Sequence, residues 1–222
     1  MNTALPADWP ATIPQARALQ YRLRGQVVAE GDAPDPRLIA GVDVHVAERA
    51  GLTWAAVALL DGGTLELVQS VLAARPTGFP YVPGYLSFRE IPAVLAALAV
   101  LDREPDLLMV DGQGIAHPRR LGIAAHLGVI VGVPTIGVAK SRLFGRHEMP
   151  AAARGSQAPL TAKGETIGSV VRTRDGVSPL YVSVGHLIGL ERAVELVLAT
   201  VTRYRLPEPT RVADKLSRMH PA

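Results

Sequence analysis

The sequence predicts an α/β fold in which helices flank a mixed β-sheet. Three apolar runs of strand length stand near the beginning of the chain, and a glycine-rich turn joins the second run to the third. Strand-like and helical segments then alternate. The chain has 222 residues, of which 48% are hydrophobic, so it can bury a substantial core. We expect one domain spanning residues 1–222.

The first part of the predicted sheet is antiparallel. A helical segment over 15–29 runs into a loop, and an apolar strand follows over 37–46. The run 52–60, the turn Asp61-Gly62-Gly63 and the run 64–72 together have the signature of a β-hairpin. These segments predict three consecutive antiparallel strands.

Later segments alternate between helix and strand. The predicted elements are a helix over 91–103, a strand over 107–110, a helix over 119–127, strands over 135–138, 166–172 and 180–184, and a helix over 190–204. We expect Pro92 in the first turn of its helix and a surface loop over 150–159. A last short helix is predicted after Pro209, with Thr210 as its cap. The order β-β-β-α-β-α-β is that of a ribonuclease H-like fold.

Charge and composition narrow the function classes. The net charge is +3 and the pI is about 9.5, which is compatible with a polyanionic partner. The excess lies in residues 203–218, which hold five basic and two acidic side chains, although an ordinary solvated face has the same pattern. Cysteine is absent, so disulfides and thiolate zinc sites are excluded. Carboxylates, histidines and carbonyls favour hard ions, Mg²⁺ or Mn²⁺.

Nothing in the sequence indicates targeting to a membrane. Residues 1–14 lack a basic stretch followed by an apolar run, and nowhere do eighteen uncharged apolar residues stand together. We therefore expect a cytoplasmic protein with no membrane contact. We also expect a monomer, because no feature indicates an obligatory protein partner.

Two aspartates on predicted strands are candidate metal ligands. Asp43 lies within an apolar strand, where an ionised carboxylate is costly unless it is paired or binds a metal. Asp111 follows the strand 107–110 and precedes Gly112-Gln113-Gly114, at a sheet edge where open α/β folds place their sites. The structural alternatives are a salt bridge or sheet-edge position for Asp43 and a glycine-rich turn for Asp111.

Two further acids come from helical segments. Ser87 and Glu90 have the spacing of a capping box, but Pro92 predicts a helix that begins later and leaves Glu90 at the loop junction. Asp214 and Arg218 have i, i+4 spacing, so a surface ion pair is the alternative. Two strand-borne aspartates with further acids suit two-metal phosphoryl chemistry, in which the ions share carboxylates, activate water and stabilise the leaving oxygen.

Several basic residues are candidates for contact with a phosphate. Lys140 follows the strand 135–138 and could neutralise the attacked phosphate, position water or simply be solvated. Arg119 and Arg120 stand at a predicted helix start, where they oppose the helix dipole and indicate an anionic partner. His117 has either a functional role or a packing role in its loop. We expect structural or solvent-exposed roles for the other histidines: His45, His126, His147, His186 and His220.

The segment 78–86 combines aromatic residues with prolines and glycines. A surface loop of this composition could act as a wedge between bases, partly unstacking a duplex so that one base leaves it. A hydrophobic turn that folds onto the core is the alternative.

Several segments resemble endonuclease V. They are residues 40–44, 80–90, 111–120, 136–141, 164–168, 181–186 and 206–211. The likeness covers nearly all of the chain from about Gln15, and the second and third segments are long and specific. The resemblance implies a ribonuclease H-like fold and Mg²⁺-dependent hydrolysis, with Mn²⁺ as a substitute, of the second phosphodiester bond 3′ to an inosine. The products would have 3′-hydroxyl and 5′-phosphate ends, the substrate would be DNA or RNA, and the role would be DNA repair.

The resemblance also implies roles for individual residues. It implies that the metal ligands are Asp43, Glu90, Asp111 and Asp214. Lys140 and His117 would support catalysis near the scissile phosphate, and Tyr81 and Pro83 would belong to the wedge. The pocket for the displaced base would be lined by Gly84, Leu86, Gly112, Gly114, Gly122 and Leu143. Glycines suit such a pocket because backbone groups can approach a flat purine only where side chains are missing.

The sequence departs from the usual family pattern at two places. His45-Val46 stands where an aromatic residue is common, and Val184 replaces a common proline. The position of Asp214 holds histidine in some relatives.

Two other functions remain open at this point. A different ribonuclease H-like nuclease, such as a hybrid-cleaving or junction-resolving enzyme, would share the acids but lack a base pocket. A basic nucleic-acid-binding module would use the same carboxylates for a structural ion or for salt bridges.

Overall fold

The computed structural model describes residues 1–219, so the expectation for His220 lies outside the described residues. The strands are β1 (Leu38–Ala47), β2 (Leu52–Asp61), β3 (Leu67–Pro76), β4 (Leu107–Val110), β5 (Thr135–Ala139), β6 (Gln157–Ala162), β7 (Glu165–Val171) and β8 (Leu180–His186). The α-helices in the same part of the chain are α1 (Ile13–Leu23), α2 (Leu86–Leu98), α3 (Ile123–Val131), α4 (Leu190–Ala199) and α5 (Glu208–Ser217).

The described strands form one eight-stranded sheet in the order β3-β2-β1-β4-β5-β8-β7-β6. The strands β1, β2 and β3 are an antiparallel meander, as predicted. The next two strands, β4 and β5, run parallel to β1, whereas each of the last three strands in the sheet, β8, β7 and β6, is antiparallel to the strand before it. The predicted mixed sheet is therefore confirmed. Its parallel centre brings the carboxyl ends of β1, β4 and β5 to one edge.

Alternating side chains of the central strands pack against helices on opposite faces of the sheet. On one face, Val42 and Leu108 share a hydrophobic cluster with residues of α2 and α3. On the other face, Ile39 and Met109 pack with residues of α4. The helix α1 packs with the segment before α2 in a third cluster. Within residues 1–219, no helix is long and apolar enough to cross a lipid bilayer.

The last helix, α5, lies against β1 at Gly41. A Cβ atom there would lie 1.9 Å from the carbonyl oxygen of Pro209, so only glycine permits this approach. Asp43 is two residues further along the strand and therefore faces the same side of the sheet. The helix that packs on Gly41 thus continues past Asp43, which brings Asp214 toward the same edge.

The helix predicted over 91–103 begins at Leu86 and ends at Leu98, so Pro92 lies in its second turn. Proline has no N–H to donate to the carbonyl of Phe88, four residues earlier. The indole Nε1 of Trp9 donates to that oxygen instead, at 3.3 Å. A distant side chain therefore makes Pro92 acceptable inside the helix, and Glu90 belongs to the helix rather than to a loop junction.

The predicted start of the last helix is also wrong. The helix begins at Glu208, and Pro209 occupies its first turn, where a missing N–H costs nothing. Thr210 is not its cap, because its hydroxyl donates to the carbonyl of Pro207 at 3.1 Å from inside the helix.

Two loop predictions need correction. The predicted loop over 150–159 overlaps the beginning of β6. Ala158 and Leu160 are buried and alternate with more exposed residues, but the polar residues on either side of them conceal this strand pattern in the sequence. The helix α3 begins at Ile123, after a loop that holds Arg119 and Arg120. The prediction that those arginines stand at a helix start and oppose its dipole is therefore wrong.

We predict that Gly41→Ala lowers the free energy of unfolding by about 3 kcal/mol, because the added methyl group must push α5 away from β1. Urea denaturation measures this change. Gly25→Ala is the matched control, since a Cβ there meets nothing within 4 Å. Equal stability of the two variants would show that the contact between Gly41 and Pro209 does not hold the helix.

Candidate active site

Three aspartates meet at the edge where the central parallel strands end. Val42 pairs with Val110 across β1 and β4, and the Asp111 N–H donates to the Val42 carbonyl at 2.9 Å. Asp43 and Asp111 are therefore neighbours by register. The helix α5 adds Asp214, and one carboxylate oxygen from each of the three lies within 4.8 Å of the others.

Lys140 lies among these acids. Its Nζ is 2.5 Å from Asp111 Oδ2 and 2.5 Å from Asp214 Oδ1. Lys140 directly follows β5, the third parallel strand, so the same topology delivers it to this edge. The ammonium group supplies one positive charge where the acids would place a cation.

Ser217 forms a hydrogen bond with Asp43, the aspartate of the group that Lys140 does not contact. It is only 2% exposed on α5, and its hydroxyl donates to Asp43 Oδ2. Its Oγ also lies 3.0 Å from the Asp214 carbonyl oxygen, one turn earlier in the helix. Ser217 therefore ties the C-terminal helix to the aspartate of β1, a role that local sequence patterns did not predict. The signal in the sequence that could have identified Ser217 is its i, i+3 spacing from Asp214 on a predicted helix.

Two of the acids have a raised pKa. Burial raises the pKa of Asp43 to about 6, against the lowering effect of the Ser217 hydrogen bond and with a further rise from Asp111. Burial raises the pKa of Glu90 to about 8, and the charges of Asp43 and Asp111 add to the rise. Carboxyl groups in this condition fit a divalent cation, which offsets their repulsion and accepts hard oxygen ligands.

Glu90 stands slightly apart from the other acids. Within residues 1–219, the group of carboxylates close enough to share one ion consists of Asp43, Asp111 and Asp214. Glu90 is half-buried on α2 and lines the cavity beside them. Its predicted role as a metal ligand stays a prediction.

A cavity of about 410 Å³ opens beside the acids. Seven of the eight residues predicted to bind substrate line it: Tyr81, Pro83, Gly84, Leu86, Gly112, Gly122 and Leu143. Glu90, Asp111, His117 and Lys140 share the lining, so the cavity is continuous with the acidic cluster. Gly114 lies behind it, buried against β8, where a Cβ would meet the Val184 carbonyl oxygen at 1.9 Å.

The loop before α2 contains both buried and exposed aromatic residues. Phe79 and Tyr85 are buried and pack with Phe88, as a hydrophobic turn would. Tyr81 at the rim is 66% exposed, and Pro83 is also exposed. The buried aromatic residues anchor the loop while Tyr81 projects beside the cavity.

His117 uses both ring nitrogens on the backbone. Its Nδ1 accepts the Arg119 N–H at 3.2 Å, so Nε2 carries the proton and donates to the Gly84 carbonyl at 3.1 Å. Burial, with the charge of Arg119, lowers the pKa of His117 to about 4. The neutral ring positions the cavity wall, and its predicted catalytic support stays a prediction.

The fold and the site define a class of protein. A mixed sheet that gathers aspartates at the ends of its parallel strands, beside a cavity, is the arrangement of a metal-dependent nuclease with a ribonuclease H-like fold. The family model described as endonuclease V matches residues 21–215. The chain belongs to the endonuclease V family.

Relatives from several organisms support this membership. Endonuclease V of Azotobacter vinelandii is 58% identical over 210 residues, which cover 95% of each chain. The crystal structure of endonuclease V from Streptomyces avermitilis is 48% identical, with a TM-score of 0.92 and coverage of 98% of this chain and 96% of that one. Endonuclease V of Ciona intestinalis, crystallised with a 24mer DNA containing an inosine followed by a ribo-adenosine, is 28% identical, with a TM-score of 0.79 and coverage of 93% and 96%.

We predict that Lys140→Met tightens binding of Mn²⁺ about tenfold while it slows nucleic-acid cleavage. The substitution removes a competing positive charge from Asp111 and Asp214, and partial solvent exposure of the lysine keeps the effect modest. Calorimetric titration of the folded protein with Mn²⁺ measures the change. Lys163→Met, at a turn distant in sequence, is the control, and weaker binding by Lys140→Met would contradict the idea of an internal counter-ion.

Proposed function

We propose that this protein is an endonuclease that hydrolyses the second phosphodiester bond 3′ to an inosine in DNA, and also in RNA, leaving 3′-hydroxyl and 5′-phosphate ends. Its role would be the repair of deaminated adenine. The observation that carries the proposal is that Asp111, one of three gathered aspartates, also lines a cavity of about 410 Å³ beside them. The inosine-containing DNA in the Ciona intestinalis relative supports the choice of base.

The carboxylates are proposed to hold Mg²⁺, with Mn²⁺ as a substitute. Asp43, Asp111 and Asp214 would provide the ligands, and Glu90 would join them from α2. A divalent ion bound there supplies charge that lowers the pKa of a water molecule and offsets the negative charge that develops on the phosphate. The oxygen-only donor set favours these hard ions over zinc.

The chain's own residues would orient the substrate around this centre. Lys140 lines the cavity at the acidic edge, where its Nζ can contact a non-bridging phosphate oxygen. Tyr81 would fill the gap left in the stack by the displaced base. The backbone of Gly84, Gly112 and Gly122 would face that base across the cavity.

The proposal places the whole reaction on one chain. Acids from both ends of the sequence and the complete cavity lining come from residues 43–214. We therefore propose a single domain that works as a monomer in the cytoplasm, where it acts on cellular nucleic acid.

A nicking assay tests the function. We predict that Mg²⁺ supports a cut at one bond in an inosine-containing duplex, that chelation abolishes it, and that Asp111→Asn lowers the rate by about a hundredfold or more while the fold is retained. Mutation of a residue that only orients a metal ligand already costs about 10- to 100-fold.

The same assay separates the alternatives. Equal cutting of an unmodified duplex would indicate a ribonuclease H-like nuclease without base selection. Nucleic-acid binding that persists with no cutting by the wild-type protein would indicate a binding module.

The exposed tip of the loop gives a separate prediction. Tyr81→Ala should lower cleavage of inosine in a duplex by about tenfold, because stacking on an aromatic ring contributes about 1–3 kcal/mol per base. Cleavage of the same sequence as a single strand should fall less, since no neighbouring stack must be opened. Tyr21→Ala, another exposed tyrosine, is the control. Equal losses on both substrates would contradict the wedge.

A further inference from the structure

One cavity-wall carbonyl accepts more hydrogen bonds than its neighbours. The Gly84 oxygen lies 2.9 Å from Gln20 Nε2, 2.5 Å from Arg119 Nη2 and 3.1 Å from His117 Nε2. A carbonyl oxygen has two lone pairs, so three donors saturate it. Gly84 also has a φ of +81°, and a Cβ there would lie 2.7 Å from Arg119 Nη2.

Gln20 is the member of this group that comes from outside the site. It lies on α1, is 0% exposed, and uses both ends of its amide. Its nitrogen donates to Gly84, and its oxygen accepts from Arg119 Nε. A fully buried amide with both ends satisfied holds its neighbours in fixed positions.

Arg119 depends on these neutral partners. In the part of the chain that the structure describes, it forms no ion pair with a carboxylate, and its guanidinium lies 4.1 Å from the centre of the Tyr85 ring. The Gln20 oxygen and the Gly84 oxygen are therefore its principal hydrogen-bond acceptors. Loss of Gln20 would free this side chain to move.

The group joins the two walls of the cavity. Gly84 and Leu86 line the cavity from the start of α2, whereas Gly112 and His117 line it from the loop between β4 and α3, which also holds Arg119. Hypoxanthine and adenine have the same outline and differ in their hydrogen-bonding edges. Discrimination between them therefore requires backbone groups held to within about 0.5 Å.

We propose that Gln20 is a positioning residue for base selection, which fixes the Gly84 carbonyl and Arg119 so that the cavity walls discriminate inosine from adenosine. This inference rests on the proposed function and adds a selectivity determinant that lies outside the cavity. Gln20 contacts none of the acids and reaches the cavity only through Gly84 and Arg119, so its effect should fall on base selection rather than on hydrolysis.

The test compares single-turnover cleavage of two oligonucleotides that differ only in one inosine or adenosine. Gln20→Leu removes both hydrogen bonds, and Gln20→Glu keeps an acceptor for Arg119 but removes the donor to Gly84. We expect both variants to reduce the preference for inosine by about ten- to hundredfold, with the change in half-saturating enzyme concentration rather than in maximal rate. Gln26→Glu, on an exposed turn, carries the same charge change and should behave as the wild type.

Each outcome decides a different point. If Gln20→Glu is folded by thermal melting and keeps the wild-type preference, the inference is overturned. A uniform loss of maximal rate on both oligonucleotides also overturns it, because that result indicates general damage. A wild-type protein that cuts without any preference for inosine would instead overturn the proposed function, and with it the basis of this inference.

Discussion

The parallel pairing of β1 with β4 is the constraint on which the site depends. It aligns Val42 with Val110 and so places the next residue of each strand, Asp43 and Asp111, side by side in a half-buried edge. Two carboxylates at this spacing repel each other, and burial adds to the cost of their charge. The fold tolerates the pair because Lys140 and Ser217 surround it with a positive charge and a hydrogen-bond donor. The same repulsion gives a divalent cation its favourable place.

The C-terminal helix connects stability with the site. Gly41 allows α5 to lie on β1, and the helix then presents Asp214 and Ser217 to the acids at its far end. A change in packing near Pro209 therefore also changes the geometry of the acids near Asp43. A chain that lost the close approach at Gly41 would lose an acid from the cluster as well as buried contact.

Local patterns predicted the part of the site that local structure determines. Asp43 and Asp111 were identified because a carboxylate in an apolar strand, or directly after one, is visible in a few residues of sequence. The boundaries of α2 were not predicted correctly, because the indole of Trp9, which is far away in the chain, accommodates Pro92 inside the helix. Gly114 shows a related limit of local patterns. It belongs to the same glycine-rich motif as Gly112, yet the tertiary fold packs it behind the cavity rather than in its lining. Gln20 and Ser217 were missed for the same reason, because each acts through a contact that only the tertiary fold creates.

The central claim is that these acids form one cation site, and anomalous diffraction tests it most directly. Crystals of the wild-type protein soaked in Mn²⁺ should show an anomalous peak within coordination distance of Asp43, Asp111 and Asp214, with Lys140 displaced from between the last two. The peak should vanish in Asp43→Ala crystals. An occupied ion elsewhere on the chain, with Lys140 still bridging Asp111 and Asp214, would contradict the account.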